Sequence, residues 1–146
     1  MAGLSLSAAA LVALVSYEGY SDRAIIPVPG DVPTIGFGTT AGVRMGETIT
    51  PPVALKRALT EVNHYERTIH KCVKVPLFQY EFDAYVSLAY NIGSHAFCTS
   101  TLVKKLNLLD YAGACAEISR WNKFKGKPLA GLTKRRAAER KTCEGK

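Results

Sequence analysis

The chain predicts an α+β fold in which helix dominates, and three observations carry that expectation. Apolar residues recur at helical spacing through most of the sequence. One stretch, from about residue 19 to about residue 47, is instead punctuated by Gly19, Pro27, Pro29, Gly30, Pro33, Gly36, Gly38, Gly42 and Gly46, with β-branched residues between them. The length of 146 residues, with 47% hydrophobic side chains, suits one compact domain over 1–146 that buries roughly two-thirds of its unfolded surface without help from a metal or cofactor.

Met1 to Tyr17 reads as a first helix, with Leu4, Leu11, Val15 and Glu18 on one face. It lacks the basic leader of a signal peptide, and its apolar run passes into Glu18 without a cleavage-site break. Three serines and a glycine also interrupt Ala2 to Tyr17, which is short for a bilayer span, so no stable membrane span is expected. The Pro/Gly-rich stretch reads as a hairpin or small sheet, and a β element hinged on helices makes a cleft wall for an extended substrate. Thr50 followed by Pro51 caps a second helix, with Leu55, Leu59, Val62 and Ile69 as its stripe. Phe78 to Asn91 is a strongly apolar helix closed by Gly93. Ser100 or Thr99 caps Thr101 to Leu109, Asp110 caps a helix to about Trp121, residues 126–131 form a loop, and Thr133 opens a basic terminal helix. Trp121 falls in step with the apolar face of Ala114 and Ile118 and is expected in the core.

Nineteen Lys and Arg against twelve Asp and Glu give a net charge of +7. Lys123 to Lys146 holds nine of the basic residues and two acidic ones, so the surplus sits at the end of the chain. Such a surface gathers anionic polymers. No nucleic-acid readout motif accompanies it, and the aromatics do not interleave with the basic tail, so nucleic acid is not the expected partner. His64, His70 and His95 make no ligand set, and Cys72, Cys98, Cys115 and Cys143 stand at gaps without zinc spacing; no metal is expected. Four widely spaced cysteines suit two disulfides in an oxidising compartment, with three connectivities open. Cys98 and Cys115 flank one short helix near element starts, which favours their pairing and leaves Cys72 with Cys143.

Glu18 ends an apolar helix on its inward stripe, and apolar surroundings favour the neutral form of a carboxyl, the form that donates a proton. Asp31 follows thirteen residues later, in the segment Pro29-Gly30-Asp31-Val32-Pro33-Thr34-Ile35-Gly36-Phe37-Gly38. Two carboxylates facing one groove are the minimal equipment for glycoside hydrolysis. Asp31 also has a simpler reading as a turn residue, and Thr34 as a strand residue.

Glu18-Gly19 with Pro33-Thr34-Ile35-Gly36-Phe37-Gly38 resembles the signature of the bacteriophage lysozymes, the endolysins of glycoside hydrolase family 24. Further matches run in order: Tyr90-Asn91-Ile92-Gly93, Ser100-Thr101-Leu102, Lys105-Leu106-Asn107, Asp110 to Ala114, Arg120-Trp121, and Gly131-Leu132 with Arg135 to Arg140. The resemblance spans residues 4–143. It implies a phage-type lysozyme fold, a small β lobe and a helical lobe with a cleft between them. It also implies a cofactor-free muramidase that cuts the β-1,4 bond between N-acetylmuramic acid and N-acetylglucosamine of peptidoglycan during lysis of the bacterial host. On that pattern Glu18 is the general acid, Thr34 positions the attacking water, and Tyr90 and Thr101 contact the sugar chain.

The middle carboxylate departs from the pattern. The family has Asp or Cys nine residues after the Glu and Thr six further on; here those offsets meet Pro27, and Thr34 stands sixteen after Glu18. Asp31 is the nearest acid, and Asp22 is the other candidate. A water held by Asp31 and Thr34 fits an inverting reaction, which needs carboxyls about 6.5–9.5 Å apart. The expected enzyme is a monomer at the host periplasm and cell wall, held to anionic envelope material by Lys134, Arg135, Arg136, Arg140 and Lys141. The rival expectation is a lysozyme-like protein that binds peptidoglycan without cutting it.

Overall fold

The computed structural model describes residues 3–146. In chain order the elements are α1 (Ala8–Glu18), β1 (Ser21–Ile25), β2 (Thr34–Gly36), α2 (Pro51–Cys72), α3 (Gln79–Ile92), α4 (Ser94–Cys98), α5 (Thr101–Asn107), α6 (Tyr111–Glu117), a 3₁₀ turn (Ile118–Arg120), β3 (Lys123–Phe124), β4 (Lys127–Pro128) and α7 (Ala130–Cys143). They form two compact units, residues 11–63 and, among the described residues, 3–10 with 64–146, so the unit boundary runs inside both α1 and α2.

In the 11–63 unit, β1 and β2 pair antiparallel, Ser21 opposite Gly36 and Ile25 opposite Thr34, with a register irregularity between. A third segment joins the other edge of β1. Ala24 N–H donates to the Glu47 carbonyl at 3.0 Å, and Ile49 N–H donates to the Asp22 carbonyl at 2.8 Å. The α2 stripe differs from expectation: Ala54, Ala58 and Val62 are buried, whereas Leu55 and Leu59 are largely exposed. Small residues win the inward face because the sheet comes so close. A Cβ added to Gly36 would stand 2.9 Å from that of Ala54.

The other unit is built round α3, in which every residue from Glu81 to Tyr90 is buried. From Ala84 to Tyr90 the sequence is apolar but for Ser87, as suits a helix buried on all sides, and the buried Asp83 accepts from the Ser7 N–H and hydroxyl. Gly93 ends it at φ +93°, its N–H donating to the Ala89 carbonyl at 2.8 Å. At its start, Glu81 Oε1 accepts from the Phe78 N–H at 2.8 Å, half of a capping box. Trp121 packs against this core, as expected.

The first helix is shorter than the apolar run that announces it. It starts at Ala8, capped by Ser7, and Leu4 lies ahead of it; Met1 and Ala2 are outside the described residues. Side chains of α2 and α3 take the backbone of residues 4–7 away from helix. Glu66 accepts from Leu6 N–H at 2.6 Å, Asp83 from Ser7 N–H at 3.0 Å, Gln79 donates to Ser5 O at 2.8 Å, and His70 bonds Leu4 O at 2.7 Å. Two more elements escaped the sequence reading, the short α4 and the β3–β4 hairpin, whose second strand falls in the expected 126–131 loop. Lys125 (φ +51°) and Gly126 (φ +78°) make the tight turn of that hairpin.

The disulfides are Cys72–Cys98 and Cys115–Cys143, each with Cα atoms 5.7 Å apart, which corrects the expected pairing of Cys98 with Cys115 and Cys72 with Cys143. Cys72 closes α2 and Cys98 closes α4, so two helix ends meet; Cys143, the last residue of α7, meets Cys115 within α6. The Tyr85 hydroxyl lies 3.3 Å from Cys143 Sγ, and burial pushes its phenol well above the usual range.

The interior also holds an ion cluster. Arg135 and Arg136 of α7 flank Glu139, with Nε to carboxylate distances of 3.3 and 2.7 Å, and the Ser87 hydroxyl of α3 donates to the same carboxylate. Burial pushes the Glu139 carboxyl up, against the pull of the Arg136 and Arg135 guanidiniums and the Ser87 hydroxyl. Removing the shared partner takes this counter-charge from two buried guanidiniums. Glu139→Ala is therefore expected to cost about 3–5 kcal/mol. Urea unfolding checks this, and a loss under about 1 kcal/mol would place the cluster among weak surface pairs.

Candidate active site

Glu18 is the last residue of α1, and the chain leaves the helix through Gly19 at φ +67°, whose N–H donates to the Val15 carbonyl at 3.1 Å. Its half-buried side chain meets the turn that follows β2. That turn is closed by paired bonds, Ile35 N–H to Thr39 O at 2.9 Å and Thr39 N–H to Ile35 O at 3.0 Å. Within it, Gly38 at φ +80° lies directly on the carboxyl. A Cβ at Gly38 would stand 2.5 Å from Glu18 Oε2, 3.0 Å from its carboxyl carbon and 3.2 Å from its Cβ. Bare backbone is thus the only surface that fits there. Beside it, Tyr20 and Phe37 bring their rings to 5.1 Å, an aromatic pair that the sequence reading did not single out.

Thr34 begins β2, half-buried, and its hydroxyl donates to the Val32 carbonyl at 3.1 Å. Asp31 sits in the tight turn before it. Its N–H donates to Val28 O at 3.0 Å, and its Oδ1 accepts from Val32 N–H at 2.8 Å, which is how a turn aspartate behaves. The second oxygen is not engaged by that bond. Asp22 points into solvent beside Arg23, 3.7 Å away. Glu18, Asp31 and Thr34 therefore all lie in the 11–63 unit, with Glu18 and Thr34 positioned by the two ends of one hairpin system.

A family model described as phage lysozyme matches residues 15–139, taking in Glu18, Asp31, Thr34, Tyr90 and Thr101. The chain belongs to the phage lysozyme family. The endolysin of Acyrthosiphon pisum secondary endosymbiont phage 1 is 41% identical over 145 residues, covering 97% of this chain and 99% of that one. The SAR-endolysin of Pseudomonas phage phiKMV is 38% identical over 140 residues, covering 93% and 86%. The solved endolysin from Escherichia coli O157:H7 phage FAHEc1 superposes with a TM-score of 0.84 at 35% identity, covering 97% of this chain and 94% of that one. The phage-type fold expected from the motifs is the fold found, and the lysozyme is a glycoside hydrolase.

The remaining site candidates of this lysozyme lie in the other unit. Tyr90 is nearly buried in α3, its ring 5.5 Å from that of Tyr65. Thr101 is exposed at the start of α5, and the cap there is Ser100, whose hydroxyl accepts from Val103 N–H at 3.2 Å. Thr101 is thus not needed as a cap. It lines a depression of about 210 Å³ with Glu117, Arg120 and Trp121. The basic terminal helix needs correcting as a binding face. Arg135 and Arg136 are buried against Glu139, and Arg140 lies 3.5 Å from Glu144, which leaves Lys134 and Lys141 as its exposed cations. No helix among the described residues is long and apolar enough to cross a membrane.

The Gly38 contact yields a direct test. Gly38→Ala places a Cβ at a positive φ and against the Glu18 carboxyl, a strain of about 1–3 kcal/mol. The variant is expected to fold with a lowered melting temperature and to lose lytic rate by about tenfold or more, since a displacement on the order of 1 Å costs about that much or more. Turbidity clearing of purified peptidoglycan and a thermal melt read the two effects; an unchanged rate would mean that the contact does not position Glu18.

Proposed function

We propose that this lysozyme cleaves the β-1,4 bond between N-acetylmuramic acid and N-acetylglucosamine by an inverting displacement, acting on the wall of the infected bacterium as a phage endolysin. Glu18 protonates the leaving glycosidic oxygen, and Asp31 with Thr34 activates a water on the opposite face of the sugar. The observation that carries this reading is the seat of the Glu18 carboxyl on the bare backbone of Gly38. A proton donor held by a helix end and a closed turn has few other places to go, which is what a general acid requires.

The hydrogen bonding of Thr34 supports its share. Its proton is already given to Val32 O, so its oxygen offers lone pairs only and orients a water by accepting from it. The free oxygen of Asp31 is the base. The protein acts as a single-domain monomer that needs no cofactor, Tyr90 and Thr101 contacting the sugar chain. Exposed Lys134 and Lys141, with Lys123, Lys125 and Lys127 of the hairpin, hold it on anionic envelope material, an attraction that salt screens. Two disulfides suit work in the oxidising periplasm.

A second reading, peptidoglycan binding without cleavage, draws on one observation: Asp31 is engaged with its own turn. Substitution separates the two. Glu18→Gln is expected to abolish clearing of peptidoglycan while the melting temperature holds, and Asp31→Asn to lower the rate by about a hundredfold, the scale of a general base. Full turnover in Glu18→Gln would remove the acid assignment. A rate within a few fold for Asp31→Asn would leave Asp31 as a turn residue, and a wild-type protein that binds the wall without releasing reducing ends would establish the second reading.

A further inference from the structure

The Cys72–Cys98 disulfide ties the last turn of α2 to the end of α4, and beside it lies an open depression of about 710 Å³. Its α2 wall is made by His64, Arg67, Thr68 and Lys71, and its α4 wall by Ser94 and His95. Positions 64, 67, 68 and 71 are one helix face by spacing. His64, Arg67 and Lys71 on this face are exposed, and Thr68 between them is half-buried. The face carries a guanidinium, an ammonium and an imidazole, with a second imidazole opposite, and no carboxylate lines the depression.

Arg67 and Lys71 stand four residues apart on α2, a like-charge spacing that disfavours the helix slightly. Neither has an ion-pair partner among the described residues. Between the cations the floor is hydroxylic. Thr68 Oγ1 and Ser94 Oγ are 2.9 Å apart, and Ser94 Oγ is 3.0 Å from His64 Nε2; both hydroxyls are half-buried. One hydroxyl proton is spent between Thr68 and Ser94, which leaves one hydroxyl at the base to donate outward, and with a guanidinium fork and a compact ammonium at the rim this matches a tetrahedral oxyanion. The disulfide fixes the two walls before any ligand arrives, which lowers the ordering cost of binding.

We propose that this depression is a phosphate-binding site that takes a phosphomonoester group, separate from the residues assigned to catalysis. Isotope-labelled full-length protein titrated with inorganic phosphate, and with acetate and chloride at matched ionic strength, tests it by the amide signals of Ser94 and His95. Phosphate is expected to give saturable shifts, weakened by about tenfold or more, roughly 1.4 kcal/mol, in the Arg67→Ser/Lys71→Ser variant, with lysis in phosphate-free buffer unchanged. Linear drift shared with chloride, equal saturation by acetate, or wild-type binding by the variant would overturn the proposal. Cosedimentation with phosphatidylcholine vesicles, with and without phosphatidic acid, then identifies the source. Binding to the phosphatidic acid vesicles that inorganic phosphate displaces assigns the site to a lipid headgroup, and saturable phosphate binding without it assigns the site to a small soluble phosphate.

Discussion

The close approach of the Glu18 carboxyl to the backbone of Gly38 is the constraint on which the local architecture depends. For the carboxyl to sit there, α1 must stop at Glu18, and Gly19 stops it by turning left-handed. The turn after β2 must reach it without a side chain, which Gly38 allows. The sheet must also come down onto α2, which Gly36 and the Ala54–Ala58 stripe allow by giving up Cβ volume on both sides of the contact. Gly36 and Gly38 therefore answer to different neighbours, Ala54 and Glu18.

Much of this was legible in the sequence because it rests on local chemistry. Thr50-Pro51 opens α2, Gly93 closes α3, and Asp110 caps α6 through the Gly113 N–H at 2.9 Å, all as side chain and backbone preference dictate. The Pro/Gly pattern marked the sheet, and Glu18, Thr34 and the glycines came from the same few residues. What stayed illegible depends on tertiary partners. Leu55 and Leu59 outrank Ala54 and Ala58 in hydrophobicity, yet the alanines are buried because close packing selects for size. Cysteine spacing says nothing about which helix ends meet. A run of basic residues does not disclose that two of them turn inward to Glu139.

The unit built round α3 shows how a basic chain keeps charge inside. Arg135 and Arg136 converge on one carboxylate, to which Ser87 also donates, so each buried charge is matched by a counter-charge or a donor. Glu117 does the same nearer the surface, bonded to Lys105 at 2.8 Å and Arg120 at 3.0 Å. Both disulfides lie in this unit too, each closing on the end of a helix. Cross-links at helix ends remove disorder from the unfolded chain while leaving the helix interiors to pack.

The most direct measurement is a crystal structure of the Glu18→Gln protein with a peptidoglycan oligosaccharide bound. The side chain at position 18 is expected to rest still on Gly38 and to lie about 2.6–3.2 Å from one bridging oxygen of the sugar chain, hydrogen-bond reach for a proton donor. A water is expected on the far side of that bond, held between Asp31 and Thr34. A sugar chain bound with no bridging oxygen near position 18, or a site whose water contacts neither residue, would contradict the roles proposed for these residues.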